Sequence, residues 1–206
     1  TTPDSDKLFE YFKDFVDAGC EYVVMEASSE AFFRHRLDLI EFTGGVITNI
    51  TKEHLNIHKT FENYIDCKCM LFRQVVKNGF SILNSDDNLY SKVFESCHGT
   101  VLTYGKNKND TLFIKDIFTR SDRTIMNIVI DNKLYNIESP LLGEFNVYNL
   151  SGAILCALKL GIDIDTIINR ISNIRVSGRL ELLPNMGQKF NIMIDYAHTP
   201  NGIINL

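Results

Sequence analysis

The chain has 206 residues, 45% of them hydrophobic, enough for one good core and a length that favours one domain or one and a half. A net charge of -5 without a basic stripe excludes the electrostatic footprint of a nucleic-acid binder, and the longest apolar runs are far too short to span a membrane. No basic-then-apolar leader opens the chain, so the expectation is a soluble, cytoplasmic protein.

Leu8, Phe9, Phe12, Phe15 and Val16 recur at helical spacing until Gly19 breaks the pattern, and residues 22–25 then read as a compact buried strand. Residues 45–50 read as a second strand, leading through a polar turn into a helix over 61–76. A third strand over 80–83 ends at Asn84-Ser85-Asp86-Asp87. Short apolar strands separated by helices predict a parallel sheet covered on both faces. Residues 111–117, 124–130 and 133–137 alternate apolar with polar, and Asp131-Asn132 sits where a tight hairpin turns. Helices over 146–160 and 165–171 follow, with Gly161 as the first one's stop and Asp163 or Asp165 as the second one's cap. A strand over 190–194 then carries Asp195 at its carboxyl end, the edge of an open α/β sheet where ligands bind. The predicted fold class is α/β, a mostly parallel sheet flanked by helices with a small antiparallel β insertion. The start at Thr1 without a methionine and the stop at Leu206 suggest a piece of a longer protein.

Five cysteines, Cys20, Cys67, Cys69, Cys97 and Cys156, lack the paired spacing of a zinc ribbon or a disulfide framework. Cys67 and Cys69, two apart on a helix, point to different sides and read as buried or spectator thiols.

Glu26 follows the apolar run 22–25 directly. An acid at the carboxyl end of a buried parallel strand is placed to bind a magnesium ion on nucleotide phosphates, because a hard cation takes oxygen ligands; a solvated loop acid is an equal reading of the residues alone. Residues 48–58 carry His54 and His58, Glu53, Asn49 and Asn56 in one turn-rich segment. Histidines four apart can share a helix face as zinc ligands do, but Glu53 and the lack of a third ligand fit that pattern poorly.

Thr1-Thr2-Pro3, Met25-Glu26-Ala27-Ser28-Ser29, Arg36, Thr48-Asn49, His54-Leu55, His58, Tyr64, Lys68 and Leu71-Phe72 resemble, in order and spacing, the central domain of Mur ligases of the MurE type. Residues 142–149 (Leu-Gly-Glu-Phe-Asn-Val-Tyr-Asn) with Ala153, Gly178-Arg179-Leu180-Glu181, and Asp195-Tyr196-Ala197-His198-Thr199-Pro200 extend the likeness over essentially the whole chain. The resemblance implies an ATP-dependent ligase that adds the third amino acid to UDP-N-acetylmuramoyl-L-alanyl-D-glutamate through an acyl phosphate in peptidoglycan synthesis. It implies two magnesium ions, with Glu26 and His54 as ligands, and a carbon-dioxide-derived carbamate on Lys68, which turns a cation that would repel the ions into an anion that binds them. Asn49, Asn146, Asn149, Arg179 and Asp195 would meet ATP, with His198 in the same block; Lys68, Arg179 and His198 are the catalytic candidates. Thr1, Thr2, Ser28, Arg34 and Arg36 would hold the muramoyl peptide.

Arg34 and Glu30 depart from the family's usual glutamine and histidine, and Glu53 and Asn56 each replace an aspartate. The family's glycine-rich phosphate loop, G-x-x-G-K-T, occurs nowhere in the chain, so the segment alone is expected to be inactive. Residues 1–194 read as the ATP-binding domain and 195–206 as the start of a carboxyl-terminal domain. Another Mur ligase, a folylpolyglutamate synthase-like ligase and a non-catalytic relative remain as alternatives.

Overall fold

The computed structural model describes residues 2–184, 186–198 and 200–204, so Thr1 and Thr199 among the motif residues lie outside the described residues. The chain divides into two compact units, Thr1–Leu83 with Asp87–Val101, and Asn84–Asp86 with Leu102–Leu206.

The first unit begins with α1 (Ser5–Asp17), α2 (Ser29–Phe33) and β1 (Phe42–Ile47), continues through α3 (Leu55–His58), α4 (Phe61–Arg73) and β2 (Val75–Asn84), and ends with α5 (Tyr90–Phe94). β1 and β2 pair in parallel, Gly45 opposite Ser81 and Ile47 opposite Leu83. β3 (Thr100–Gly105), next in the sheet order, starts in this unit; its alternation is too weak for the sequence pattern to have found it. α4 is the organising helix. Thr60 caps it by accepting the Asn63 N–H at 3.2 Å, and its apolar residues face two clusters. Cys69, Tyr64, Ile65 and Phe72 pack with Ile50, Leu83 and Val93, whereas Cys67 packs with Leu8, Ala31, Phe32 and Leu37. The two cysteines therefore do point to different sides.

Residues 22–25, predicted as a buried strand, are not one. Tyr22, Val23 and Val24 are 63%, 45% and 91% exposed, and no described residue forms a ladder with them. Apolar, β-branched composition is only half of a strand; the other half is a hydrogen-bonding neighbour. The second predicted strand is shifted, with β1 ending at Ile47, so residues 48–50 follow its carboxyl end.

The second unit takes up the end of β3 and adds β4 (Leu112–Thr119), β5 (Thr124–Ile130) and β6 (Lys133–Ser139), followed by α6 (Glu144–Lys159), α7 (Ile164–Ile171), β7 (Glu181–Leu182), β8 (Met193–Ile194) and α8 (Pro200–Ile204). β3 pairs with β4 in parallel and β4, β5 and β6 form an antiparallel meander, so the antiparallel insertion is joined to the parallel strands. β5 alternates strictly between buried and half-buried residues, and the hairpin turns through Asp131 and Asn132 at φ 50° and 61°, as type I′ geometry requires. Gly161, at φ +85°, follows the end of α6, a conformation that costs a glycine nothing. The fold is α/β, a mostly parallel sheet flanked by helices with a small antiparallel part, as the sequence predicts.

The strand expected over 190–194 shrinks to β8, which pairs antiparallel with β7 in a separate two-stranded sheet. Asp195 therefore ends a short antiparallel ribbon, and the expectation of an open parallel-sheet edge there is corrected. No described helix is long and apolar enough to cross a membrane.

Candidate functional site

In the first unit the candidate residues gather where residues 22–28 meet α2 and α4. The Thr2 hydroxyl donates to the Glu26 carbonyl at 2.7 Å and accepts the Ser28 N–H at 3.1 Å. Ser28 then caps α2, its hydroxyl accepting the Ala31 N–H at 3.2 Å. Arg36 closes the knot, with one guanidinium nitrogen donating to the Thr2 carbonyl at 3.3 Å and Nε paired with Asp4 at 2.9 Å. Thr2, Ser28 and Arg36, widely separated in sequence, are thus one hydrogen-bonded group beside Glu26, whose side chain is exposed. Arg34 is different: its Nε pairs with Glu30 at 2.7 Å one turn away on α2, so the two unusual residues there satisfy each other.

Lys68 lies half-buried on α4, with Nζ 5.3 Å from the centre of the Tyr64 ring one turn before it. Burial pushes its ammonium below the ordinary lysine range, while the carboxylates of Glu26 and Glu53 push it back up. Both acids are therefore electrostatic neighbours of one amine. His54 Nε2 stands 4.0 Å from Glu53 Oε2, and the His54 ring is 6.1 Å from Tyr64. His54 itself sits at φ +56°, a strained position for a residue with a side chain, and such strain concentrates at functional sites. Tyr64 is 3% exposed, and burial followed by Glu53 raises its hydroxyl to about 12.

His58 is fully buried between the rings of Phe33 and Tyr64, with Nε2 3.0 Å from the Ser29 hydroxyl. Burial first, then His54, hold it below the usual histidine range. Among the described residues no group of three or more histidine, cysteine and acidic side chains is gathered to hold a metal. What the geometry does show is His54 beside Glu53, and Lys68 within electrostatic reach of Glu26 and Glu53.

The nucleotide candidates belong to the second unit, except Asn49, which is exposed just beyond β1. Asn146 is buried at the start of α6, where its amide nitrogen donates to the Leu142 carbonyl at 2.7 Å and its oxygen accepts from the Asn149 amide at 3.2 Å. Asp195 accepts the Leu180 N–H at 2.7 Å and the Ala197 N–H at 2.6 Å, pinning the ribbon to the Gly178-Arg179-Leu180 turn. The Arg179 guanidinium lies 5.2 Å from the Tyr196 ring centre and the His198 ring centre lies 4.9 Å from the same ring, so exposed Arg179 and His198 both flank Tyr196, next to half-buried Asp195.

Sequence reasoning gives Glu53, Tyr64 and Tyr148 no role of their own. Glu53 was only a departure from a pattern, yet it faces Lys68; the signal for Tyr64 was its four-residue spacing from Lys68 on one helix.

The chain matches the Mur ligase middle domain over residues 1–157. It is 36% identical over 208 residues to a UDP-N-acetylmuramoyl-L-alanyl-D-glutamate–2,6-diaminopimelate ligase of Clostridium botulinum, covering 100% of this chain and 42% of that protein. It is 38% identical over 213 residues to the ligase of the same name from Clostridium perfringens, covering 100% and 43%. Among solved structures, a ligase of that name superposes with a TM-score of 0.85 at 27% identity, over 99% of this chain and 42% of the other. A MurF ligase of Thermotoga maritima in complex with ADP shares the fold at a TM-score of 0.71 and 19% identity, over 87% and 41%. The chain thus spans less than half the length of the relatives it matches.

Proposed function

The chain belongs to the Mur ligase family, and from that premise we propose that it is the ATP-handling centre of a cytoplasmic enzyme that joins an amino acid to UDP-N-acetylmuramoyl-L-alanyl-D-glutamate in peptidoglycan synthesis. In the named relatives that amino acid is 2,6-diaminopimelate. The substrate carboxylate takes the γ-phosphoryl group of ATP, giving ADP and an acyl phosphate; the incoming amine displaces phosphate and loses a proton as the amide forms. Phosphorylation is needed because a carboxylate is anionic and has no leaving group.

What supports the reading is a half-buried Lys68 on α4, near enough to Glu26 and Glu53 for both carboxylates to act on its ammonium. As an ammonium, Lys68 would repel a divalent cation; its lowered proton affinity keeps more neutral amine available to add carbon dioxide, lose a proton and become an anionic carbamate. Glu26, the carbamate and His54 would be the oxygen and imidazole donors that hold magnesium. Bound there, magnesium supplies positive charge to offset the phosphates during transfer. The chain's own residues do the positioning. Thr2, Ser28 and Arg36, with Thr1 before them, offer hydroxyls and a guanidinium to the muramoyl peptide, and Arg34 adds a second guanidinium once it leaves Glu30. Arg179 is a planar donor for a phosphate, with His198 beside it, and Asp195 keeps lone pairs for a ribose hydroxyl.

The test is Lys68→Ala in the intact ligase. Ligation should fall by roughly 100-fold or more, and small carboxylates such as acetate should restore part of it by replacing the missing anion. Activity close to that of the unaltered enzyme would remove the basis of the reading.

A further inference from the structure

Asn84, Ser85, Asp86 and Asp87 at the end of β2 take no part in the chemistry described so far. Asp86 is exposed, yet its Oδ2 accepts two hydrogen bonds, from the Lys106 N–H at 2.9 Å and from the Tyr148 hydroxyl at 2.8 Å. Tyr148 lies on α6 between Asn146 and Asn149. Lys106, just after β3 and bonded to Asp86 through its N–H, also reaches this helix, its Nζ pairing with Glu144, the first residue of α6, at 2.7 Å. The turn is tightly built: a Cβ on Gly105 would stand 2.3 Å from Ser85 Oγ and 3.0 Å from both Asp86 Cγ and Asp110 Oδ2. Ser85 Oγ in turn donates to Asp110 Oδ2 at 2.7 Å. Burial and the Asp86 carboxylate both raise the Tyr148 hydroxyl, which stays protonated as a donor.

The amides on α6 carry a direction. Asn146 gives its N–H to the Leu142 carbonyl, so its oxygen receives Asn149 Nδ2, and Asn149 Oδ1 is left as an acceptor. An acceptor matches the 6-amino group of adenine and opposes the 6-oxo group of hypoxanthine.

We propose that Asp86 and Tyr148 are positioning residues for nucleotide selection, their hydrogen bond fixing α6 so that Asn149 presents its amide oxygen to the 6-amino group of ATP. The inference rests on the expectation that Asn146 and Asn149 meet ATP, and takes the adenine as the part they meet.

The experiment compares ATP with ITP as phosphoryl donor in the intact ligase for Tyr148→Phe, Asp86→Asn, the double variant and Asn149→Ala, with melting temperatures measured alongside. Tyr148→Phe should raise the KM for ATP by about 5-fold, leave kcat within about twofold and lower ATP-over-ITP selectivity by a similar factor. The double variant should be no worse than the poorer single one, because both remove one bond. A lowered melting temperature with unchanged selectivity in Tyr148→Phe, while Asn149→Ala alters it, overturns the proposal and leaves the base-reading role standing. Unchanged selectivity in Asn149→Ala overturns that role, and the proposal with it. Additive losses in the double variant also overturn the proposal.

Discussion

At the scale of single residues, Lys68 shows how burial changes chemistry. On sequence grounds it is one of many helix lysines, and only the motifs around it single it out. In the structure, desolvation weakens its hold on a proton, and Glu26 and Glu53 oppose that effect without cancelling it. An amine is nucleophilic only when neutral, and a lowered proton affinity moves the neutral form to lower pH. Carbamoylation of Lys68 by cyanate, followed by peptide mass spectrometry across a pH series, should therefore show a midpoint below the ordinary value of 10.5. Replacing Glu53 with Gln removes one of the two charges that favour the ammonium, so the midpoint should move further down. A midpoint at or above the ordinary value would contradict the geometry. Asp86 and Tyr148 illustrate the opposite case: they lie 62 positions apart and meet only through the tertiary fold, so no local spacing could reveal the pair.

At the scale of elements, legibility follows how far each is specified by its own residues. α7 is fully local: the Asp163 carboxylate accepts the Thr166 N–H at 2.9 Å and the Thr166 hydroxyl at 2.7 Å, as a cap predicted from sequence should. Those bonds, the hydroxyl first, lower the Asp163 proton affinity in the folded state. The carboxyl thus adds stability above its unfolded value of 3.8, and loses it as pH falls through the lower folded value. Asp163→Ala should lower the melting temperature at pH 7 by roughly 3 °C, and the difference from the parent chain should narrow below pH 3.8, as circular dichroism can follow. A constant difference down to pH 2 would show that the charge is not the source. The β4–β6 meander is legible for a similar reason, since alternation and the Asp131-Asn132 turn are local signals. Residues 22–25 and 190–194 are not, because whether an apolar run becomes a strand depends on a neighbour supplied from elsewhere in the chain. The site divides along the same line. Glu26, His54 and Lys68 are proposed from motifs, whereas the Glu30–Arg34 pair and the influence of Glu53 on Lys68 needed coordinates.

At the scale of the whole molecule, the residues proposed for metal and muramoyl peptide lie in one compact unit and most of those proposed for the nucleotide in the other. Each unit has its own buried side chains, so the chain is expected to fold as given. Folding and catalysis are separate matters here. Phosphoryl transfer depends on holding the triphosphate rigidly, and a glycine-rich loop leading into a helix does so with backbone N–H groups aimed at the phosphates. No G-x-x-G-K-T sequence occurs among the 206 residues. Without that cradle, the positive charge proposed for Arg179 has no fixed phosphate on which to act. The purified 206-residue chain should accordingly show the circular dichroism of an α/β protein and a cooperative melt, yet release phosphate from ATP at the buffer background, with or without the muramoyl dipeptide. Its turnover should lie below about one thousandth of the intact ligase, the loss expected when positioning of the reacting group is removed. Phosphate release that rises in proportion to the chain's concentration and vanishes on Lys68→Ala would mean that these residues bind and orient ATP unaided, and the division of labour argued here would be wrong.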